Sequence, residues 1–155
     1  MRSWFASALA ASLLATVPAV AASQERAVSD ARSAPKSRLF VLTDIEADPD
    51  DTQSLVRLLL YSNEIDLEGL VATTSVHQKN RITPESIRRV IGEYAKVRAN
   101  VALHAPAFPA AATLYRLVGS GQPVYGMAGV GSGKSTEGSR DSSQRWSWPD
   151  PRPCG

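Results

Sequence analysis

Cysteine is almost missing from this 155-residue chain: Cys154, next to the C-terminus, is the only one. A disulfide framework and a cysteine-based zinc site are therefore excluded. Histidine is nearly as scarce, with only His77 and His104, too few for a His-rich metal centre. A surplus of one charge is lacking as well. Lys and Arg number 17 against 15 Asp and Glu, a net charge of +2, too balanced to imply nucleic-acid or membrane-surface binding by field alone. What remains is ordinary. Hydrophobic residues make up 43% and charged residues 21%, a globular composition that rules out a wholly disordered chain and allows one modest domain.

The N-terminus reads as an export signal. Arg2 is the positive n-region, Trp4 to Val17 is an uncharged apolar stretch, and Ala19-Val20-Ala21 supplies a small-x-small pattern before a polar segment. The apolar run falls short of the roughly 20 residues a spanning helix needs, and Pro18 ends it. Residues 1–21 are thus expected to be a signal peptide and 22–37 a linker, with the mature protein periplasmic or secreted.

Beyond the linker the pattern is strand, helix, strand, helix. Leu39-Phe40-Val41-Leu42 is a continuous apolar run that suits a strand buried on both faces. Thr52 to Tyr61 carries a broad helical apolar face, and Leu67 to Thr73 reads as a second strand. Thr83-Pro84 opens a second helix, in which Ile87, Val90, Ile91, Tyr94 and Val97 recur at helical spacing. This order predicts an α/β fold, an open mostly parallel sheet with flanking helices. Past His104 a short helical stretch, Ala110 to Val118, leads into a glycine-rich segment.

The strongest chemical signal lies between the first strand and its helix. Asp44, Glu46, Asp48, Asp50 and Asp51 crowd five carboxylates into eight residues. In open α/β sheets the ligand crevice lies off the carboxyl ends of the strands, where this loop falls. Five anions so close repel, and must be solvated, protonated or neutralised by a cation. Helix capping by Asp50 and Asp51 explains one or two of them. Hard oxygen donors suit calcium or magnesium, and calcium tolerates irregular loop geometry. An EF-hand is excluded, because Pro49 stands where its turn glycine should be and Leu55 where its last glutamate should be.

The spelling Val41-Leu42-Thr43-Asp44-Ile45-Glu46-Ala47-Asp48-Pro49-Asp50-Asp51 resembles the N-terminal signature of nucleoside hydrolases. It is closer to a secreted branch of nucleoside hydrolase-like proteins often described as cellulose-binding. Leu59-Tyr61-Ser62-Asn63-Glu64, Glu68 to Ser75, Lys96-Val97-Arg98, His104-Ala105-Pro106, Gly126-Met127-Ala128 and Glu137-Gly138-Ser139 extend the resemblance over residues 38–140. It implies hydrolysis of an N-glycosidic or related glycosyl bond with a bound calcium. Asp50 would be the general base toward a calcium-bound water, Asp51 and Glu46 calcium ligands, and Asp44 a supporting or auxiliary ligand. His77 falls where the classical enzymes place a sugar-binding side chain. The alternatives are a non-catalytic carbohydrate (cellulose)-binding protein and an inactive calcium-binding fragment. The expected partner is a small molecule or carbohydrate, with no nucleic acid and, after signal cleavage, no membrane; an oligomer stays open.

Two segments need separate reading. Ala128-Gly129-Val130-Gly131-Ser132-Gly133-Lys134-Ser135 fits a relaxed phosphate-loop pattern. A working loop needs a strand before it and a helix after it, and Gln122 to Tyr125 makes a poor strand, so a glycine-rich surface loop is expected. Residues 141–155, from Asp141 to Gly155, show no period of 2 or 3.6 and hold two of the three Trp residues. They are expected to be an aberrant tail produced by a frameshift after about Arg140, truncating the domain and weakening catalysis; a naturally disordered tail is the alternative.

Overall fold

A bulged parallel strand pair organises the chain. In the computed structural model, which describes residues 35–147 and side chains as far as Arg145, β1 (Ser37–Thr43) runs parallel to β2 (Ile65–Ala72). The register shifts between Leu39, opposite Leu67, and Phe40, opposite Gly69. The Phe40 ring then lies over Gly69 so closely that a Cβ there would meet it at 2.2 Å, which is why the strand carries glycine at this position. Arg38 pairs with Glu68 across the irregularity, with Nη2 at 2.6 Å from Oε2.

The connections follow from the sequence pattern. Helix α1 (Pro49–Leu60) has proline at its first position, where the missing N–H costs nothing, and Asp50 and Asp51 in its first turn. Helix α2 (Pro84–Val101) repeats the device after Thr83. A short α3 (Ala111–Tyr115) leads directly to β3 (Val118–Ser120), which pairs parallel with β2, giving the strand order β1-β2-β3. A 3₁₀ turn (Met127–Gly129) and α4 (Glu137–Ser147) complete the described residues. The sheet is open and parallel with flanking helices, as the alternating pattern predicted.

The core lies between the sheet and α1, α2 and α3. Ile45, Leu59, Leu70, Ile87, Ile91 and Leu114 are essentially inaccessible. Each such side chain contributes about 1.5–3 kcal/mol by leaving water. The Tyr94 hydroxyl, which would otherwise be stranded, donates to the Pro109 carbonyl at 2.8 Å. Ile45 anchors the acidic loop into this core.

Several expectations change. Leu42 is 64% exposed, so β1 is not buried on both faces: α4 covers β2 and β3 and leaves this end of β1 open. The apolar face of α1 is narrower than its sequence suggests, with Leu55 and Leu59 buried but Val56 and Leu60 exposed. Val97 is exposed too, unlike its helical partners Ile87 to Tyr94. Val118 belongs to β3 and not to a helix. The stretch after Arg140 is helical as far as Ser147. Thr136 and Ser139 start that helix by reciprocal capping, each backbone N–H donating to the other's hydroxyl at 2.9 and 3.3 Å. It has no apolar period because it meets the sheet through its backbone at Gly138. The export signal at 1–21, most of the linker, and tail residues 148–155 with Cys154 lie outside the described residues. Among the described residues no helix is long and apolar enough to cross a membrane.

Candidate functional site: a crevice at the carboxyl ends of the strands

Three loops leave the sheet at one end: 44–48 after β1, 73–83 after β2 and 121–136 after β3. Parallel strands force this, since every crossover returns its chain to the same end. The middle loop holds the other two. Gln78 is buried, and its Nε2 donates to the carbonyls of Asp44 and Ile45 at 3.3 Å each, while its Oε1 accepts from Arg81 at 2.8 Å. The Thr83 hydroxyl donates to the Ile45 carbonyl at 2.7 Å. That hydroxyl would otherwise cap α2, and the helix has no side-chain cap bond. On the other side Thr74 Oγ1 donates to the Gln122 carbonyl at 3.2 Å, and the Tyr125 N–H to the Lys79 carbonyl at 3.1 Å.

Within this frame the acids take separate tasks. Glu46 has φ 72°, the left-handed region, at a cost of about 1–2 kcal/mol for a residue with a Cβ. The turn aims its carboxylate at α2, where Oε1 accepts from Ser86 Oγ at 2.5 Å and from the Arg89 guanidinium. These two hydrogen bonds, Ser86 first, hold the Glu46 carboxyl below its ordinary value. Partial desolvation pushes the other way, and the charges of Arg89 and Arg81 add to the lowering. Asp51 turns back on its own helix end, its Oδ2 accepting from the Asp48 N–H at 3.1 Å. Asp44 is half-buried at the end of β1, while Asp48 and Asp50 are exposed. His77 is exposed, its backbone N–H donating to Ser75 Oγ at 3.0 Å in a turn of the middle loop.

The acids therefore share one loop without converging. Among the described residues no three His, Cys, Asp or Glu side chains stand close enough together to hold a metal ion. Oxygen donors are the right chemistry for calcium, but Glu46 is committed to a guanidinium and a hydroxyl, and Asp51 to a backbone N–H. As arranged, Asp44, Glu46 and Asp51 do not fit the ion. The residues that sequence reading missed are Gln78, Thr83, Ser86 and Arg89. The spelling marks Thr83 only as a helix start and the others not at all; Ser86 and Arg89 meet the loop because α2 folds back over it, and Gln78 because the loop after β2 packs beside it.

Two other features do not contribute. A groove of about 260 Å³ between α1 and α2 is apolar apart from Glu93 and Lys96, which bond to each other at 2.7 Å. Its nearest residue on α1, Val56, stands about 9 Å along the helix from Asp50, and it offers little to a sugar hydroxyl. The glycine-rich segment keeps its lysine for itself, with Lys134 Nζ donating to the Ala128 carbonyl at 2.6 Å. No strand precedes that segment directly, as β3 ends at Ser120.

Residues 38–154 match the family described as cellulose-binding Sde182, nucleoside hydrolase-like domain. The chain belongs to this family. Its match runs past the boundary at 140 drawn from sequence, in keeping with the helix that crosses that point. A solved relative of the Sde182-like family is a nucleoside hydrolase-related hypothetical protein from Saccharophagus degradans, described as associated with carbohydrate metabolism. It is 40% identical with a TM-score of 0.73, over 77% of this chain and 29% of that one. The chain thus spans under a third of that relative's length. No curated protein matches.

Proposed function

We propose that this chain is an exported carbohydrate-binding module that does not cleave its ligand. Its binding surface would be the loop crevice at the carboxyl ends of the strands. The observation that carries the reading is the division of labour among the acids. Glu46 and Asp51 are spent on internal partners, whereas Asp50, in the first turn of α1, and His77, on the loop after β2, are exposed at the same sheet end. Exposed carboxylate and imidazole groups are good partners for sugar hydroxyls, and charge-assisted bonds of this kind are about twice as strong as neutral ones. Membership of a cellulose-binding family and the N-terminal export pattern support the choice of ligand and an extracellular location. Hydrolysis with Asp50 as general base is the second reading, favoured by its exposed place at the start of α1.

The test is retention of the purified mature chain on insoluble cellulose, with titration by soluble cello-oligosaccharides. A nitrophenyl riboside turnover assay runs alongside. Binding without turnover is expected. Asp50→Asn should retain binding, and Asp50→Ala with His77→Ala should weaken it about tenfold, the equivalent of one hydrogen bond. Turnover at a rate matching full-length relatives, abolished by Asp50→Asn, would establish the second reading instead. A chain that passes through cellulose unretained and ignores the soluble sugars refutes the binding role.

A further inference from the structure

We propose that the Arg89 guanidinium neutralises the acidic loop from within, in the place of a divalent cation, so that this chain folds and holds its crevice without calcium. Anions crowded in one loop repel unless solvated, protonated or neutralised; Asp48 and Asp50 are exposed to solvent, and α2 supplies a positive charge to Glu46. Arg89 lies one helical turn after Ser86, so both side chains reach the same Glu46 oxygen. Arg89 also bonds the Ser86 hydroxyl at 3.3 Å, which closes a three-membered cluster. Arg81 adds a second positive group nearby, fixed on the Gln78 amide. Glu46 has a left-handed backbone, and its carboxylate lies against Ser86 and Arg89 of α2.

A guanidinium is suited to the task. It stays charged at every working pH and offers several donors in a fixed plane. Once Glu46 is held by it, the loop lacks one of the oxygens a calcium shell would require, and among the described residues no three acidic groups stand close enough to replace it. The inference is independent of whether the crevice binds sugar, because it concerns what holds the loop in shape.

Thermal melting of the purified chain in millimolar calcium or in chelator tests it, with wild type, Arg89→Gln and Arg89→Lys compared. The wild type is expected to melt at the same temperature in both conditions. A true site at a hundred times its Kd would raise Tm by about 10 °C in a domain this size. Arg89→Gln should melt about 2–4 °C lower in chelator, as loss of a surface pair predicts, and should regain that loss in calcium. Arg89→Lys should keep most of the stability. A calcium-dependent rise in the wild type overturns the proposal. So does an Arg89→Gln chain that melts with the wild type, or one that stays indifferent to calcium. Glu46→Gln provides a second route if Arg89→Gln does not fold. It should lower Tm by a similar amount, and the same loss in the double variant Glu46→Gln/Arg89→Gln would show that the two residues act as a pair.

Discussion

A Cβ placed on Gly138 would lie 2.4 Å from Val71 Cγ1, with the Ser120 carbonyl at 3.1 Å. Helix α4 therefore approaches the sheet backbone to side chain, at a distance no other residue type permits. Gly138→Ala is the sharp test. On propensity alone alanine in a helix gains up to about 1 kcal/mol over glycine. Here the clash with a buried strand should outweigh it, by about 1–3 kcal/mol of overpacking. The net expectation is a lower Tm and early loss of α4, read by circular dichroism and thermal melting. A Gly138→Ala chain more stable than wild type would show that α4 does not dock through this residue.

Thr83→Val addresses the seam beneath the acidic loop. The substitution keeps the shape and removes the hydroxyl that donates to the Ile45 carbonyl at 2.7 Å. That carbonyl retains a longer bond from Gln78 at 3.3 Å, so it is not left bare. The expected loss is about 1 kcal/mol, roughly 4 °C in Tm. Faster amide hydrogen exchange in residues 44–48 should accompany it, with the strands unaffected. Equal exchange in the two proteins would show that the hydroxyl contributes nothing to holding the loop.

Acid should loosen the contact between Glu46 and α2. The Ser86 and Arg89 hydrogen bonds lower the Glu46 value from 4.5, with Arg89 and Arg81 as the facing charges. A carboxyl whose folded value is depressed adds stability that is fully present above the unfolded value and lost as pH falls through the folded one. The gap in Tm between wild type and Glu46→Gln should therefore be constant near neutrality and narrow on acidification below 4.5. A gap that stays constant into that acid range would show that the carboxylate charge is not what α2 recognises.

The sequence was most legible where a period ran long enough. The apolar run of β1, the Leu-rich face of α1 and the Thr83-Pro84 start of α2 all appear close to where their patterns put them. The three residues of β3 carry no pattern of their own and become a strand only because β2 offers a free edge. Helix α4 is polar apart from Trp146 and meets the sheet at Gly138 and through polar bonds from Ser120 to Glu137 and from Arg38 to the Arg145 carbonyl, so hydrophobic periodicity had little to detect. The acidic loop was visible as composition, and its place off the strand ends followed from topology. The fate of its charges was not visible. Ser86 and Arg89 lie 40 and 43 residues beyond Glu46, and a positive φ at a glutamate has no spelling.

The loop from 73 to 83 is fastened on both sides, to Asp44 and Ile45 through Gln78 and to Gln122 and Tyr125 through Thr74 and Lys79. On the proposed binding role, a visiting oligosaccharide would meet a finished wall in place of a hand that must close around it. Little ordering remains for the protein to undergo on capture, so association should be quick and the same for rigid fibres as for free chains. A crevice already shaped in this way would need no lid, which has no room to shut against an insoluble polymer.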